Sequence, residues 1–438
     1  MKPGDRIPVD VDSLGREGEG LAISTESEIH VLGAFPGERA LVQLEHVGRP
    51  RPPSPRRAYG RVVEWLAPAP ERLAPPCAEH EGKGGRCTGC PWMVLDLERQ
   101  RQEKRRMLHD HHGLAVDEVR SGPSALGYRW SSKRVARSYG GRMHLGSFRR
   151  DSHQFADMAG CLVDHPDVAA AALAVADAAT QLGIEAWDER QNAGDLRYVW
   201  LKTNGRGDVL VTLVTASSRT RAHELADALE GLAGIAWSVQ DDGGNAIRGS
   251  EARSLRGATT IALELAGRHV DVGPLGFLQP NPEVAELAYR DLCAKPPGGL
   301  AFDLYAGVGV TTSLLAAGSA EVLACEAYAE SATAGGGAPE TALAFLERTF
   351  AAGLAPRLVV ANPPRSGMGE LVCDRLVAFA GRGPAEVRIM SCSPAALRRD
   401  LDRLAAGFAL VELQAYDTLP HTPHVELVAK LHARARTE

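Results

Sequence analysis

Leu300-Ala-Phe-Asp-Leu-Tyr-Ala-Gly-Val-Gly-Val-Thr312 begins as an apolar run, ends in two closely spaced glycines and continues into a helical pattern. A second apolar run follows at 321–325 and ends at Glu326. A strand, a glycine loop, a helix and a strand that ends in an acid form a βαβ unit that binds nucleosides, because the acid holds ribose hydroxyls. No Lys with Ser or Thr follows the glycines, which excludes a P-loop for triphosphates. The stretch therefore predicts a Rossmann-like α/β domain.

Two later stretches extend the predicted sheet. The apolar run 358–362 ends in Pro363-Pro-Arg-Ser-Gly367, at the carboxyl edge where open α/β sheets bind their ligands. The run Ile389-Met-Ser-Cys-Ser-Pro394 passes from a strand into a helical pattern and presents Cys392 at the turn, where a helix N-terminus stabilises a thiolate. A free cysteine is also among the most buried residue types. Packing and chemistry therefore both stay open for Cys392 at this point.

Length and composition limit the class of protein. The chain has 438 residues, of which 44% are hydrophobic, and we expect three domains: 1–66, 67–271 and 272–438. The sequence contains no run of about 18 apolar residues, which argues against a membrane span. The N-terminus lacks the apolar core of a signal peptide, so we expect a cytoplasmic protein. The net charge of −6 argues against indiscriminate binding of nucleic acids, and eight cysteines are too few for a disulfide scaffold.

Residues 1–66 predict a small OB-like β-barrel. Glycine turns separate five short β-like runs, which are 7–11, 21–23, 29–32, 40–44 and 59–65. Five arginines lie in one loop and the strand after it: Arg49, Arg51, Arg56, Arg57 and Arg61. A barrel with a basic loop suits the binding of oligonucleotides. A solvated arginine-rich loop explains the same pattern equally well.

Four cysteines are spaced like metal ligands. Cys77 precedes the pair Cys87 and Cys90, and Cys161 is the candidate fourth ligand. Four thiolates suit zinc or an iron–sulfur cluster, and His80 or His165 could complete a zinc site instead. A redox dithiol is the weaker alternative, because no thioredoxin-like strand and helix surround the pair.

The middle of the chain combines a basic strand pair with an α+β region. Residues 128–150 alternate basic and apolar positions and include Tyr128, Trp130, Tyr139 and Phe148, so they could contact phosphates and stack on single-stranded RNA. Residues 167–270 predict helices and strands without a catalytic signature, and we interpret them as a scaffold.

The segment Pro420-His-Thr-Pro-His-Val-Glu426 precedes the last predicted strand. Its two histidines and its glutamate could act in acid–base chemistry, shape a proline-rich turn, or ligate a metal. The metal is the weakest of the three, because proline separates the donors.

Together these motifs resemble the class I RNA (uracil-5-)-methyltransferase family that uses S-adenosylmethionine, in its ribosomal-RNA type with a TRAM domain and a four-cysteine cluster. The resemblance extends over nearly the whole chain. It is carried by Phe35-Pro-Gly-Glu38, which resembles part of the TRAM module, by Phe277-Leu-Gln-Pro-Asn281, and by the glycine, cysteine and glutamate motifs quoted above.

The resemblance implies a reaction and a set of site residues. Cys392 would be the nucleophile that adds to carbon 6 of uracil, and Glu426 the general base that removes the hydrogen from carbon 5. Six residues would hold S-adenosylmethionine: Gln279, Tyr305, Gly307, Gly309, Glu326 and Asn362. Four would hold a [4Fe–4S] cluster, with zinc as the alternative: Cys77, Cys87, Cys90 and Cys161. The substrate would be a uridine in structured RNA, ribosomal RNA is favoured over transfer RNA, and we expect a monomer.

Two departures from the family pattern favour a second hypothesis. Asn362 stands where the family has an aspartate, and asparagine carries no charge. The span 327–361 is shorter than in the family, and we expect it to lack most of a helix and strand that cover the adenine. The alternative function is therefore an RNA-binding protein on the same fold with weakened or lost catalysis. A zinc-containing nucleic-acid adaptor is a third possibility.

Overall fold

A computed structural model describes residues 1–24, 27–49, 54–150, 152–241, 249–335, 337–380 and 383–434. The chain forms two compact units. The first contains Met1–Val119 and Leu419–His424, and the second contains Arg120–Thr418 and Val425–Glu438. The boundaries expected after residues 66 and 271 stay predictions. Among the described residues, no helix combines the length and the apolar character that a membrane crossing requires.

The first unit contains a six-stranded sheet in the order β1-β5-β6-β4-β3-β2. Its strands are β1 (Arg6–Asp10), β2 (Ser13–Leu14), β3 (Gly20–Ile23), β4 (Ser27–Val31), β5 (Arg39–Val47) and β6 (Arg56–Ala67). Alternate residues of β5 are buried in an apolar core, as expected of a sheet with one solvated face. The sequence predicted five of these strands, and β2 is too short to show a periodic pattern. Arg51 of the predicted basic loop lies outside the described residues.

The Phe35-Pro-Gly-Glu38 turn is fixed by a buried carboxylate. Arg72 donates to both oxygens of Glu38, at 2.5 and 2.6 Å, and the backbone amide of Phe35 donates at 2.8 Å. The guanidinium of Arg72 also lies 3.9 Å from the ring centre of Trp65. These hydrogen bonds satisfy the polar atoms of a side chain that is almost fully buried.

The chain passes from the first unit into the second within β7 (Val119–Arg120), after helix α1 (Leu97–His112). The second unit contains a seven-stranded central sheet in the order β10-β9-β8-β11-β12-β13-β14. Its strands are β8 (Ser131–Tyr139), β9 (Arg142–Phe148), β10 (Phe155–Asp157), β11 (Leu196–Thr203), β12 (Val209–Thr215), β13 (Gly234–Val239) and β14 (Ala252–Gly257). Helices α2 (Pro166–Gln181) and α3 (Ala222–Ala228) pack on one face of this sheet.

A two-stranded ribbon, β15 (Ile261–Leu265) and β16 (Arg268–Val272), leads to the C-terminal sheet. That sheet has the order β18-β17-β19-β20-β22-β21-β7. Its other strands are β17 (Leu300–Leu304), β18 (Glu321–Cys325), β19 (Leu358–Ala361), β20 (Glu386–Ser391), β21 (Phe408–Tyr416) and β22 (Glu426–Ala433). The helices are α4 (Pro282–Leu292), α5 (Val310–Leu315), α6 (Ala329–Ala334), α7 (Ala342–Ala351), α8 (Glu370–Phe379) and α9 (Pro394–Leu404).

The C-terminal sheet confirms the predicted α/β fold class. Strands β17 to β20 are parallel, whereas β22 is antiparallel to both β20 and β21. All four residues of β19 are buried, as expected of a parallel strand covered by helices on both faces. Between β18 and β19 the described residues form α6 and α7 and no strand, so β18 is the edge of the sheet.

Candidate active site

Strand register brings Cys392 and Glu426 to the same end of two neighbouring strands. Ser391 of β20 is paired with Leu427 of the antiparallel strand β22. Because antiparallel strands run in opposite directions, the residue after Ser391 and the residue before Leu427 lie at the same edge of the sheet. Those residues are Cys392 and Glu426, and the charge of Glu426 acts on the thiol of Cys392.

Cys392 occupies the turn between β20 and α9. Ser393 caps the helix by accepting a hydrogen bond from the backbone amide of Ala396 at 3.3 Å, and Pro394 is the first helical residue. The thiol is half-buried, so it is presented rather than enclosed. Burial raises the pKa of the Cys392 thiol and the charge of Glu426 raises it further, whereas Arg365 lowers it by its charge and a hydrogen bond.

Glu426 contributes a buried carboxyl group to this edge of the sheet. Its side chain is buried, with 4% of the residue exposed. Burial raises the pKa of Glu426 to about 8, and the charge of Arg365 opposes this rise. A carboxyl group with a pKa near neutrality can exchange a proton with a substrate at physiological pH.

Arg365 is a candidate site residue that the sequence did not single out. It lies in the exposed loop after β19, and its positive charge acts on both Cys392 and Glu426. The available signal was its position after the Asn-Pro-Pro turn, since β19 is the neighbour of β20 in the sheet. Sequence spacing alone gave no reason to connect it with Cys392, which lies on a different loop.

The glycine loop after β17 is held by a hydrogen bond to the carboxylate of Glu326. The backbone amides of Gly307 and Tyr328 donate to its two carboxylate oxygens at 2.9 and 2.7 Å. Gly307 and Gly309 have φ angles of 59° and 87°, which favour glycine. A Cβ at Gly307 would meet no atom within 4 Å, so this side of the loop is open.

Tyr305, Asn362 and Gln279 lie around the same edge. Tyr305 has a φ of 60°, a conformation uncommon for residues other than glycine, and its hydroxyl donates to the carbonyl of Met368 at 3.3 Å. The backbone amide of Asn362 donates to the backbone carbonyl of Leu304, the residue before Tyr305, at 3.3 Å.

Gln279 is linked to the acidic end of the edge through Tyr289 of α4. Its side chain forms a hydrogen bond with the Tyr289 phenol. Burial raises the pKa of Tyr289 well above its ordinary value, and the charge of Glu426 raises it further. The structure therefore connects the predicted residue Gln279 with the surroundings of Glu426.

Comparison with known proteins identifies the family. A scan against protein-family models finds no match. An RNA methyltransferase of Geobacter sulfurreducens, described as uncharacterized, is 31% identical over 463 residues, covering 98% of this chain and 90% of the relative. The chain belongs to the RNA methyltransferase family. A second such relative, from Gloeobacter violaceus, is 28% identical over 455 residues, and the match covers 98% of this chain and 96% of the relative.

A solved structure shows the same fold as this RNA methyltransferase. The tRNA (uracil-54, C5)-methyltransferase of Pyrococcus abyssi, in complex with S-adenosyl-L-homocysteine, superimposes with a TM-score of 0.75. The two sequences are 23% identical, and the match covers 97% of this chain and 99% of the other. The comparison therefore confirms the predicted fold class along almost the full length of both chains.

The two histidines before Glu426 belong to a different environment from the glutamate. His421 lies in the first unit of this methyltransferase, where Gln100 donates to its Nδ1 at 3.1 Å and its backbone amide donates to Gln100 at 2.8 Å. His424 lies in the same segment, and its amide donates to the hydroxyl of Thr422 at 3.2 Å. Of the three interpretations of this motif, a hydrogen-bonded turn describes His421 and acid–base chemistry suits Glu426.

The four predicted metal ligands are divided between the two units. Cys77, Cys87 and Cys90 lie in the first unit and Cys161 in the second. The amide of Gly89 donates to the sulfur of Cys87 at 3.4 Å, a contact that stabilises a thiolate. Throughout the described ranges, no three His, Cys, Asp or Glu side chains are grouped closely enough to hold a metal ion. The cluster therefore stays a prediction.

Proposed function

We propose that this RNA methyltransferase transfers a methyl group from S-adenosylmethionine to carbon 5 of a uridine in structured RNA. The observation that carries the proposal is the meeting of Cys392, Glu426 and Arg365 at one edge of the sheet. A thiol, a base and a cation at one position are the groups required to activate a pyrimidine ring, whereas hydride transfer would need no thiol.

The chemistry assigns one role to each of the two acidic groups. Carbon 5 of uracil is a poor nucleophile, so the Cys392 thiolate first adds to carbon 6 and its electron pair pushes the ring electrons toward the carbonyl oxygen on carbon 4. S-adenosylmethionine, when bound, would supply the electrophilic methyl group, which bonds to carbon 5 while the cofactor's sulfur keeps the electron pair of the broken carbon–sulfur bond. Glu426 then takes the proton from carbon 5, the double bond between carbons 5 and 6 forms again, and Cys392 leaves as a thiolate.

Arg365 favours the thiolate form of Cys392. Burial and the charge of Glu426 both favour the neutral thiol, which does not add to uracil. The guanidinium of Arg365 favours the charged form of Cys392 and of Glu426, because it lowers the pKa of both groups. We therefore assign Arg365 as the residue that activates the pair.

The glycine loop fits the proposed cofactor. Its open side at Gly307 leaves room for a ligand, and the backbone hydrogen bonds hold the Glu326 carboxylate in a fixed orientation that suits ribose hydroxyls. We propose that the cofactor is held by the residues that the sequence predicted: Gln279, Tyr305, Gly307, Gly309, Glu326 and Asn362.

The N-terminal sheet supplies a surface for RNA. Arg57, Tyr59 and Arg61 alternate along β6 with exposed side chains, and Tyr59 is 42% exposed. His30 stacks against the Tyr59 ring with the ring centres 4.6 Å apart, which fixes its orientation. An exposed ring between two cations suits a base and its flanking phosphates. We propose that this TRAM-like sheet binds ribosomal RNA, and that the protein acts as a cytoplasmic monomer.

We propose a [4Fe–4S] cluster because four thiols, those of Cys77, Cys87, Cys90 and Cys161, are the donors that such a cluster uses. The described part of the chain contains no group of three His, Cys, Asp or Glu side chains that could hold a metal ion. Protein purified anaerobically should contain iron and acid-labile sulfide. Stoichiometric zinc without a brown chromophore would support the zinc alternative instead.

The second candidate function is RNA binding with weakened or lost catalysis. The observations that favour it are Asn362 in place of an acid and the absence of a strand among the described residues between β18 and β19. The perturbed pair Cys392 and Glu426 favours activity, because a protein that only binds RNA has no use for a buried carboxyl group beside a thiol.

The proposed reaction is tested with methyl-labelled S-adenosylmethionine and RNA from a strain that lacks the gene. The wild-type protein should form 5-methyluridine, identified by mass spectrometry of the nucleosides. Cys392→Ala should abolish the product and leave RNA binding nearly unchanged. Cys373→Ala is the matched control, because Cys373 is a buried cysteine of α8. Formation of 5-methyluridine by Cys392→Ala would refute the thiolate mechanism.

A further inference from the structure

One face of the central sheet is not covered by α2 and α3. Ala136 and Leu145 point into the core beneath these helices. Because side chains alternate along a strand, Val135, Arg137 and Tyr139 of β8 point to the opposite face. The neighbouring strands β9 and β10 contribute His144, Phe148 and Phe155 to that face through the observed register. We call these residues with the loop 187–190 the aromatic cleft.

The rings of the aromatic cleft are held in fixed positions. Tyr139 is 48% exposed and stacks on His144, with ring centres 3.7 Å apart and planes inclined by 7°. Asp157 anchors both rings, since its Oδ2 lies 2.7 Å from His144 Nδ1 and accepts a hydrogen bond from the Tyr139 hydroxyl at 3.3 Å. Phe155 meets Tyr139 edge-on at 6.2 Å. Rings fixed in this way lose little conformational entropy when a planar ligand stacks on them.

A cavity of about 500 Å³ lies against these rings and is lined by Arg137, His153, Phe155, Asp188, Glu189 and Arg190. This volume is within the range of sites for small ligands. A smaller cavity shares Arg137 and Glu189 with it and adds Phe148 and Trp187. The lining therefore combines aromatic faces for a base, arginines for phosphates, and carboxylates that can accept hydrogen bonds from an exocyclic amino group.

The charge of this region also suits a polyanion. Residues 131–150, which contain β8, β9, the turn between them and the two residues after β9, include six lysines and arginines and no acidic residue, although the chain carries a net charge of −6. Among the six, Arg134 is paired with the carboxylate of buried Asp164 at 2.5 Å on the opposite face, and Arg142 with that of Asp177 at 3.1 Å. The guanidinium of Arg137 remains at the cleft, 5.8 Å from the centre of the Phe148 ring.

We propose that the aromatic cleft binds one or two unstacked nucleotides of single-stranded RNA, at a site separate from the methyl-transfer site. The base stacks on the Phe155 and Tyr139 side of the cleft, and Arg137 contacts a flanking phosphate. The proposal rests on the proposed function only in that the RNA is part of the methylation substrate. A sheet face with fixed aromatic rings is a recurrent surface for splayed single strands.

The test uses a fluorescein-labelled ten-nucleotide oligocytidine, which is not a substrate for methylation of uridine. Phe155→Leu, which keeps an apolar side chain but removes the ring, should weaken binding by about tenfold, as expected for the loss of one base–aromatic stack. Arg137→Gln should reduce the slope of log affinity against log salt concentration by about 0.7, the contribution of one phosphate contact on a single strand. A structural role for Arg137 would not change this slope.

Two exposed residues elsewhere in the second unit provide matched controls. Leu173→Ala removes apolar surface from α2, on the covered face, and Arg253→Gln removes a cation from β14. Both should bind the oligocytidine like the wild type. Thermal unfolding of all four variants should show that each is folded.

The location is tested with 5-iodocytidine at the centre of the oligonucleotide, which crosslinks to stacked rings on irradiation. The expected adducts lie in peptides that contain Tyr139, Phe148 or Phe155. Adducts confined to other peptides, or wild-type affinity and salt dependence in both cleft variants, would overturn the proposal. If the wild-type protein forms no 5-methyluridine and the cleft variants still lose binding to the oligocytidine, the cleft proposal is supported and the proposed reaction is refuted.

Discussion

Two carboxyl groups are buried in the same C-terminal sheet, and their surroundings differ in one respect. Asp303 of β17 accepts hydrogen bonds from the hydroxyls of Thr311 and Thr312 at 2.7 and 2.6 Å. Burial raises the pKa of Asp303 to about 6, and the hydrogen bonds from the two threonine hydroxyls oppose this rise. Burial raises the pKa of Glu426 to about 8, and the opposing influence is the charge of Arg365.

We interpret this difference as one between a structural carboxyl group, Asp303, and the proposed general base, Glu426. Hydrogen bonds fix Asp303 to the first turn of α5 and thereby hold the glycine loop against the strand. Glu426 lies at the start of β22, beside the proposed nucleophile Cys392, and burial raises its pKa to about 8, which suits proton exchange near neutral pH. Two carboxyl groups with similar burial can therefore be assigned different roles from the donors that surround them.

The largest effect is expected for Glu426→Gln. Removal of a general base should lower turnover by about 10²- to 10⁴-fold, measured as 5-methyluridine formed per enzyme. The same change should stabilise the fold. The pKa of Glu426 in the folded state, about 8, exceeds its ordinary value of 4.5. The folded state therefore loses stability as the pH rises from about 4.5 to about 8. Glutamine does not ionise, and unfolding at pH 8 should cost roughly 1–3 kcal/mol more. Unchanged turnover would contradict the assignment.

Arg365→Gln should shift the pH dependence of the reaction. Arg365 lowers the pKa of both Cys392 and Glu426, so its loss should raise both values and move the rise of kcat/KM to higher pH. We expect about tenfold lower activity at pH 7, with recovery at alkaline pH. Arg365→Lys should restore much of the profile, and Arg398→Gln on α9 serves as the control. An unshifted profile would exclude Arg365 from the pair.

Asp303→Ala should act on stability. The substitution leaves two threonine hydroxyls without their acceptor, and the free energy of unfolding in urea should fall by roughly 2–4 kcal/mol. Asp303→Asn retains an acceptor oxygen and should cost less than about 1 kcal/mol. If Asp303→Asn were as damaging as Asp303→Ala, the negative charge rather than the hydrogen bonds would be the important property.

The smallest effect is expected for Asn362→Asp. The substitution restores the acid of the family pattern beside Tyr305 and should preserve or raise the rate of 5-methyluridine formation. Binding of S-adenosylmethionine, measured by calorimetry, should change little. A large loss of activity would show that asparagine has a role of its own in this chain.

Much of this site could be predicted because its residues lie at the ends of apolar runs. The glycine loop and Cys392 follow parallel strands, whose carboxyl ends meet at one edge. Glu426 begins the antiparallel strand β22, whose start lies at that same edge. Arg365 could not be predicted, because its influence on Cys392 depends on which strands are neighbours in the sheet. Strand β2 was missed because two residues cannot show a period, and the environment of His421 depends on Gln100, which is 321 residues away.

The central proposal is that Cys392 forms a covalent bond with the uracil ring. Removal of the carbon-5 proton by Glu426 then allows Cys392 to leave. The most direct test of this proposal is the Glu426→Gln variant incubated with S-adenosylmethionine and RNA from the strain that lacks the gene, followed by denaturing electrophoresis and mass spectrometry. With the base removed, elimination should stop, so a covalent complex of protein and RNA should accumulate on the peptide that contains Cys392. The Cys392→Ala/Glu426→Gln double variant should form none. A covalent complex that persists in the double variant would contradict the account.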